Sequence, residues 1–199
     1  MLDWIKLGNK NQPEFWQKYL ASFDKKTNRI VVLTIDTSGS DHKVDTILRF
    51  GAIAISENAM MVGDSFEAHI VQIKKETNKI EADNDYLDLS IKEKVTESYA
   101  IEHLIEYLQN ATIVGHRIDF DIEFIDEALS KIGCGKLKNI ALDIETMYRK
   151  WKDVSDSKNF TINDLRSEFK IEKSDRNDTI EDALDLGLVF LKLKPRLGL

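Results

Sequence analysis

RIVVLTIDTSGSD, residues 29–41, is the stretch on which the reading of this chain turns. Val31, Val32, Leu33 and Ile35 form a short apolar run rich in β-branched side chains, the composition of a buried strand. Thr37-Ser38-Gly39-Ser40-Asp41 follows as a cluster of small and polar residues, which reads as a turn. Side chains alternate across a strand, so Thr34, Asp36 and Ser38 are expected on one face. A carboxylate at the tip of a buried strand is costly unless something pairs with it, and a divalent cation is one such partner.

Outward from this strand, Thr46–Ile55 (TILRFGAIAI) reads as a second strand, with Gly51 marking a bulge or close packing. Ser56-Glu57-Asn58 makes a turn, and Met60–Ile70 supplies a third strand. Two short hairpin connections imply an antiparallel meander. Lys74–Ser98 is polar and charged, and no element is assigned to it. A helix follows with Ala100, Ile101, Leu104, Tyr107 and Leu108 on one face. Thr112–Gly115 is a short strand, and Phe120–Leu129 a helix with Phe120, Phe124, Ile125, Ala128 and Leu129 inward. Asn139–Leu142 suggests another strand leading into a helix through Trp151. Thr161 with Asp164 three residues on resembles a helix N-cap, opening a helix that carries Leu165 and Phe169. The last helix spans about Thr179–Lys192, with Ile180, Ala183, Leu184, Leu188 and Leu191 as its apolar face.

Before the meander, Pro13 suits a first helical position. Phe15, Trp16, Tyr19, Leu20 and Phe23 then repeat at helical spacing. This helical preface, residues 1–28, is expected to pack on the domain formed by residues 29–199; a docking surface for a partner protein is its second reading. A meander followed by alternating helices and strands predicts an α/β fold, a mixed sheet flanked by helices.

The chain has 199 residues, enough for one substantial core and cramped for two. No apolar run reaches the length of a membrane span and no signal-peptide h-region is visible, so a cytoplasmic protein with no membrane partner is expected. The single cysteine, Cys134, suits a reducing compartment and has no metal-spaced neighbours. A net charge of −7 argues against a broad basic surface for duplex DNA. It does not exclude an enzyme of nucleic-acid ends, because a carboxylate metal site is itself acidic.

Two further segments carry acids at element ends. Residues 115–125, GHRIDFDIEFI, run from strand through turn to Asp121 in a first helical turn, and residues 176–183, RNDTIEDA, place Asp182 early on the last helix. Asp36, Asp121 and Asp182 are thus three acids far apart in sequence. The order strand-acid, G-H-x-x-x-F-D, and D-A on a final helix resembles the DnaQ-like (DEDDh) 3′–5′ exonucleases over about residues 29–193, especially the proofreading epsilon type and its stand-alone relatives. The resemblance implies a ribonuclease-H-like fold, nucleic-acid 3′ ends as partner (single-stranded DNA first, RNA second) and a polymerase or other protein at the N-terminal helix. It also implies two Mg²⁺ or Mn²⁺ ions about 3.5–4 Å apart that clamp the scissile phosphate, with a histidine as general base.

This chain departs from that pattern. Where the family's first motif reads D-x-E-T-T-G, Thr34 stands at the metal-bridging aspartate and Asp36 at the glutamate; a shift by two would instead put Asp36 and Ser38 there. The base histidine's position holds Asn177, which cannot take a proton, and Arg117 replaces the asparagine after His116. The resemblance therefore implies Asp36, Asp121 and Asp182 as surviving ligands, Thr34 at a vacated one, and weakened or lost hydrolysis. The alternative is a non-catalytic pseudo-nuclease that binds nucleic acid or protein. Asp143-Ile144-Glu145-Thr146 also spells D-x-E-T, but with no turn after it the segment reads as a strand-to-helix connection.

Overall fold

The computed structural model describes residues 12–72, 93–155, 157–172 and 179–199. Its strands are β1 (Ile30–Thr37), β2 (Ile47–Ser56), β3 (Ala59–Ile70), β4 (Lys94–Val95), β5 (Thr112–Gly115) and β6 (Ala141–Asp143). Its helices are α1 (Glu14–Ser22), α2 (Glu97–Leu108), α3 (Ile118–Lys131), α4 (Ile144–Lys152), α5 (Ile162–Phe169) and α6 (Thr179–Leu193), with a closing 3₁₀ turn at Pro195–Leu197. The strands form one sheet in the order β4-β3-β2-β1-β5-β6. β1, β2 and β3 are the expected antiparallel meander, while β5 runs parallel to β1 and β6 parallel to β5. No described helix is long and apolar enough to cross a membrane.

Alternation along the central strand divides the core in two. Val31 and Leu33 face α1, α2 and α3, together with Phe50, Ala52 and Ile113. Val32 faces the other way, toward α4, α5 and α6, with Ile53, Ile55 and Val114. The sheet is therefore the middle layer of three, and its buried strands are apolar on both faces, as that position demands.

The apolar stripe of α1 packs on the domain, the first of its two readings: Phe15, Trp16 and Tyr19 are buried in the chain's own core, and the Tyr19 hydroxyl donates to Asn139 Oδ1 at 2.7 Å. Trp4 and the rest of residues 1–11 lie outside the described residues. Two expectations are corrected. On α2, Ile105 rather than Tyr107 completes the buried face. On α6, the buried face is Ala183, Leu186, Val189, Phe190 and Leu193, while Leu188 is 37% exposed. This helix is apolar around most of its girth, so periodicity admitted two stripes, and the sheet selected the one that meets β1 and β2. The capping box is as expected: Thr161 Oγ1 accepts from Asp164 N at 3.2 Å, and Thr161 N donates to Asp164 Oδ2 at 2.7 Å.

Candidate functional site

Because β1 and β5 are parallel, their carboxyl ends share one rim, the place where open α/β sheets receive ligands. Thr34 and Asp36 lie near this rim on the face covered by α6. The Thr34 hydroxyl donates to Thr179 O at 2.9 Å, and Gly51 O lies 3.3 Å from it. Thr179 in turn donates its own hydroxyl to Asp36 Oδ2 at 3.3 Å. β1 and the start of α6 are thus laced together at the position where the resemblance puts a bridging aspartate.

Ser38 does not join them. The β1–β2 register shifts between Asp36 and Thr37, which breaks the alternation. Ser38 Oγ instead lies 3.0 Å from Asp45 Oδ1 and accepts from Thr46 N at 3.0 Å, closing the turn on itself. The expectation of three side chains on one face therefore holds for Thr34 and Asp36 and ends there.

Asp36 forms an ion pair with Arg49, the residue directly opposite it in β2. Asp121, in the first turn of α3, is 8% exposed. Burial holds its carboxyl well above the usual carboxylate range, and the nearby charges of Asp143 and then Asp36 push the same way. Asp36 and Asp121 are therefore neighbours across the rim. Asp182 has a different partner: its Oδ1 accepts from Arg166 Nη2 at 2.8 Å, and the same nitrogen lies 2.6 Å from Asp185 Oδ2. Asn177, the residue at the expected base position, lies outside the described residues, as does Asp178.

A second network supports the rim from below. Buried Glu145 accepts from Phe160 N at 2.7 Å and from Arg149 Nη2, and its other oxygen accepts from Arg117 Nε at 3.3 Å. His116 Nε2 lies 2.7 Å from Phe160 O, so the turn after β5 and the loop before α5 are tied together. Asp143 closes β6 and caps α4, with Oδ1 accepting from Thr146 N at 2.8 Å and Oδ2 from Ile118 N at 3.1 Å. The D-x-E-T segment is accordingly a strand-to-helix connection.

Sequence reasoning missed Arg49, Arg166, Glu145 and Thr179. Arg49 was within reach, because counting back from the hairpin places it opposite Asp36. Arg166 had no local signal, since its partners sit on another helix.

Two Mg²⁺ or Mn²⁺ ions require several oxygen ligands free to converge. Thr34 donates its proton away, Asp36 is held by Arg49, and Asp182 is held by Arg166. Among the described residues, no three His, Cys, Asp or Glu side chains gather as a metal would need. The described residues do not fit a two-cation centre.

A family model described as an exonuclease (RNase_T) matches residues 31–190. The chain is 24% identical over 170 residues to a PolC-type DNA polymerase III of Caldanaerobacter subterraneus subsp. tengcongensis, covering 84% of this chain and 12% of that protein. It is 25% identical over 179 residues to the DNA polymerase III subunit epsilon of Buchnera aphidicola subsp. Acyrthosiphon pisum, covering 82% of this chain and 71% of that one. The E. coli exonuclease I structure in complex with a dT13 oligonucleotide has the same fold, with a TM-score of 0.67 at 14% identity over 86% of this chain and 42% of that one. The chain thus spans only a small part of the PolC-type polymerases that it matches.

Proposed function

Since this chain belongs to the DnaQ-like 3′–5′ exonuclease family, we propose that it engages nucleic-acid 3′ ends at the β1–β5 rim while its hydrolytic step is strongly weakened or lost. The observation that carries this reading is Thr34. At the position where the family needs a metal-bridging carboxylate stands a neutral hydroxyl, bonded to the backbone of α6 at 2.9 Å. Asn177 at the base position costs a further ~10²–10⁴-fold in rate, the usual contribution of general-base catalysis. Single-stranded DNA is the first ligand to try and RNA the second. Mg²⁺ and Mn²⁺ belong to the reading only as ions against which activity is tested, because the donor set does not fit a pair of them. We further propose residues 29–199 as the nuclease-type unit and 1–28 as an extension of it. A polymerase partner would need a surface other than the apolar face of α1, which the core already covers.

A gel assay with 5′-labelled single-stranded DNA and Mg²⁺ or Mn²⁺ tests the catalytic half. The expected result is no ladder of shortened products, or one so faint that Asp121→Asn leaves it unchanged. Robust metal-dependent shortening that disappears in Asp121→Asn and Asp182→Ala would overturn the reading.

A further inference from the structure

We propose that Arg49 and Arg166 are the resident cations of this rim, two guanidinium groups that neutralise its carboxylates so that divalent ions are neither required nor admitted. The proposal rests on the family reading for which rim matters, and on the ion pairs for what fills it.

Carboxylates gathered at a half-buried edge repel one another and are tolerated only with positive charge beside them. Here that charge comes from two separate elements. Arg49 lies across the ladder from Asp36, so antiparallel register alone puts both side chains on one face, where they form an ion pair. Each is about a third exposed, which leaves the pair within reach of water.

Arg166 is different in kind. Its side chain is 7% exposed, and it faces Asp182 and Asp185, which are three residues apart on α6 and therefore on the same side of that helix. The approach to Asp185 Oδ2 at 2.6 Å has no hydrogen-bond direction, and Arg166 Nε is buried without a hydrogen-bond partner among the described residues. An unsatisfied buried donor is costly. The guanidinium is held by hydrogen bonds from Nη2 to Asp182 Oδ1 at 2.8 Å and from Nη1 to Asn163 Oδ1 at 3.1 Å, and by the charge of Asp185 beside it.

A guanidinium stays protonated at every pH at which a protein is folded, so this compensation cannot be titrated away. Among the described residues, Arg49 and Arg166 set two positive charges against Asp36, Asp182 and Asp185, with buried Asp121 a further carboxyl at the rim. Admitting a dication beside these pairs would first require an arginine to leave. Arg49 has a path to solvent. Arg166 has one only if α5 separates from α6.

The test is Mn²⁺ binding to the full chain, read by electron paramagnetic resonance of the free aquo ion. Arg49→Gln keeps the length and removes the charge at a partly exposed strand position, and circular dichroism checks its fold. The expected result is Mn²⁺ binding by Arg49→Gln at least about tenfold tighter than any by the parent chain. Arg166→Gln, where it folds, shifts binding in the same direction. Mn²⁺ binding by the parent chain that Arg49→Gln leaves unchanged overturns the proposal. So does an absence of binding in both, since the arginine would then not be what keeps the ion out. Anisotropy of a labelled single-stranded oligonucleotide in EDTA is measured alongside. Failure to bind the oligonucleotide strikes the nucleic-acid reading alone and leaves the Mn²⁺ result to decide the role of the arginines.

Discussion

Gly51 has no side chain because a Cβ there would lie 2.4 Å from the carbonyl oxygen of Thr179. That backbone is the same one that accepts the Thr34 hydroxyl, so a single alanine methyl would push α6 off β1 and β2 together. Gly51→Ala should cost about 1–3 kcal/mol, the usual price of overpacking a tight contact. A urea melt of the variant against the parent chain measures it, and an unchanged midpoint would mean that α6 is not seated as closely as described. At this scale the residue types were legible in part: Thr34 and Asp36 share one face of β1, as alternation along the strand requires. Their partners were mostly not. An ion pair such as Asp182 with Arg166 is set by how two helices pack, and no spacing in the sequence encodes that.

Among the elements, the opening of β1 shows how strand, edge and helix are pinned at one point. Arg29 makes a two-pronged pair with Asp64 of β3, its Nη2 lying 3.0 Å from Asp64 Oδ1. The guanidinium sits 4.9 Å from the centre of the Tyr107 ring, and the Tyr107 hydroxyl donates to Asp64 O at 2.7 Å. The Arg29 hydrogen bond holds the Asp64 carboxyl below its usual range. An acid whose pKa is depressed on folding adds stability above its unfolded pKa and gives it up as pH falls through the folded value. Asp64→Asn should therefore melt below the parent chain at pH 7, by ~1 kcal/mol or less for a pair this exposed. The gap should begin to close as the pH falls below about 4 and vanish only below the depressed folded value. Melts across that range decide it, and a gap that widens in acid would be the wrong sign. Element identity was readable even where both faces are buried, as in β2, and α6 is the helix expected. What failed on α6 was the buried face, because Leu184, Leu188 and Leu191 offered a stripe as regular as the one that the sheet actually covers.

For the molecule as a whole, the preface and the sheet share one core. Trp16 is 1% exposed and Tyr19 3%, both packed with residues of α2 and α3. Fully burying a large apolar side chain is worth ~1.5–3 kcal/mol, against a total margin of ~5–15 kcal/mol for a typical domain. A chain starting at residue 29 should accordingly melt far below the full chain or aggregate, as light scattering during a thermal ramp would show; an unchanged midpoint would make α1 an appendage. The three-layer architecture was legible because meander, crossover and helix follow one another in chain order. The division of the sheet's two faces among particular helices was not, since that depends on the direction in which each connection crosses.

The Asp143 carboxylate holds one amide at the start of α3 with one oxygen and one at the start of α4 with the other. Neither helix can fray at its first turn without loosening the grip on its neighbour, so deuterium should enter Ile118 and Thr146 at matched rates. Thermal breathing at the start of one helix is then coupled to the other through that one side chain.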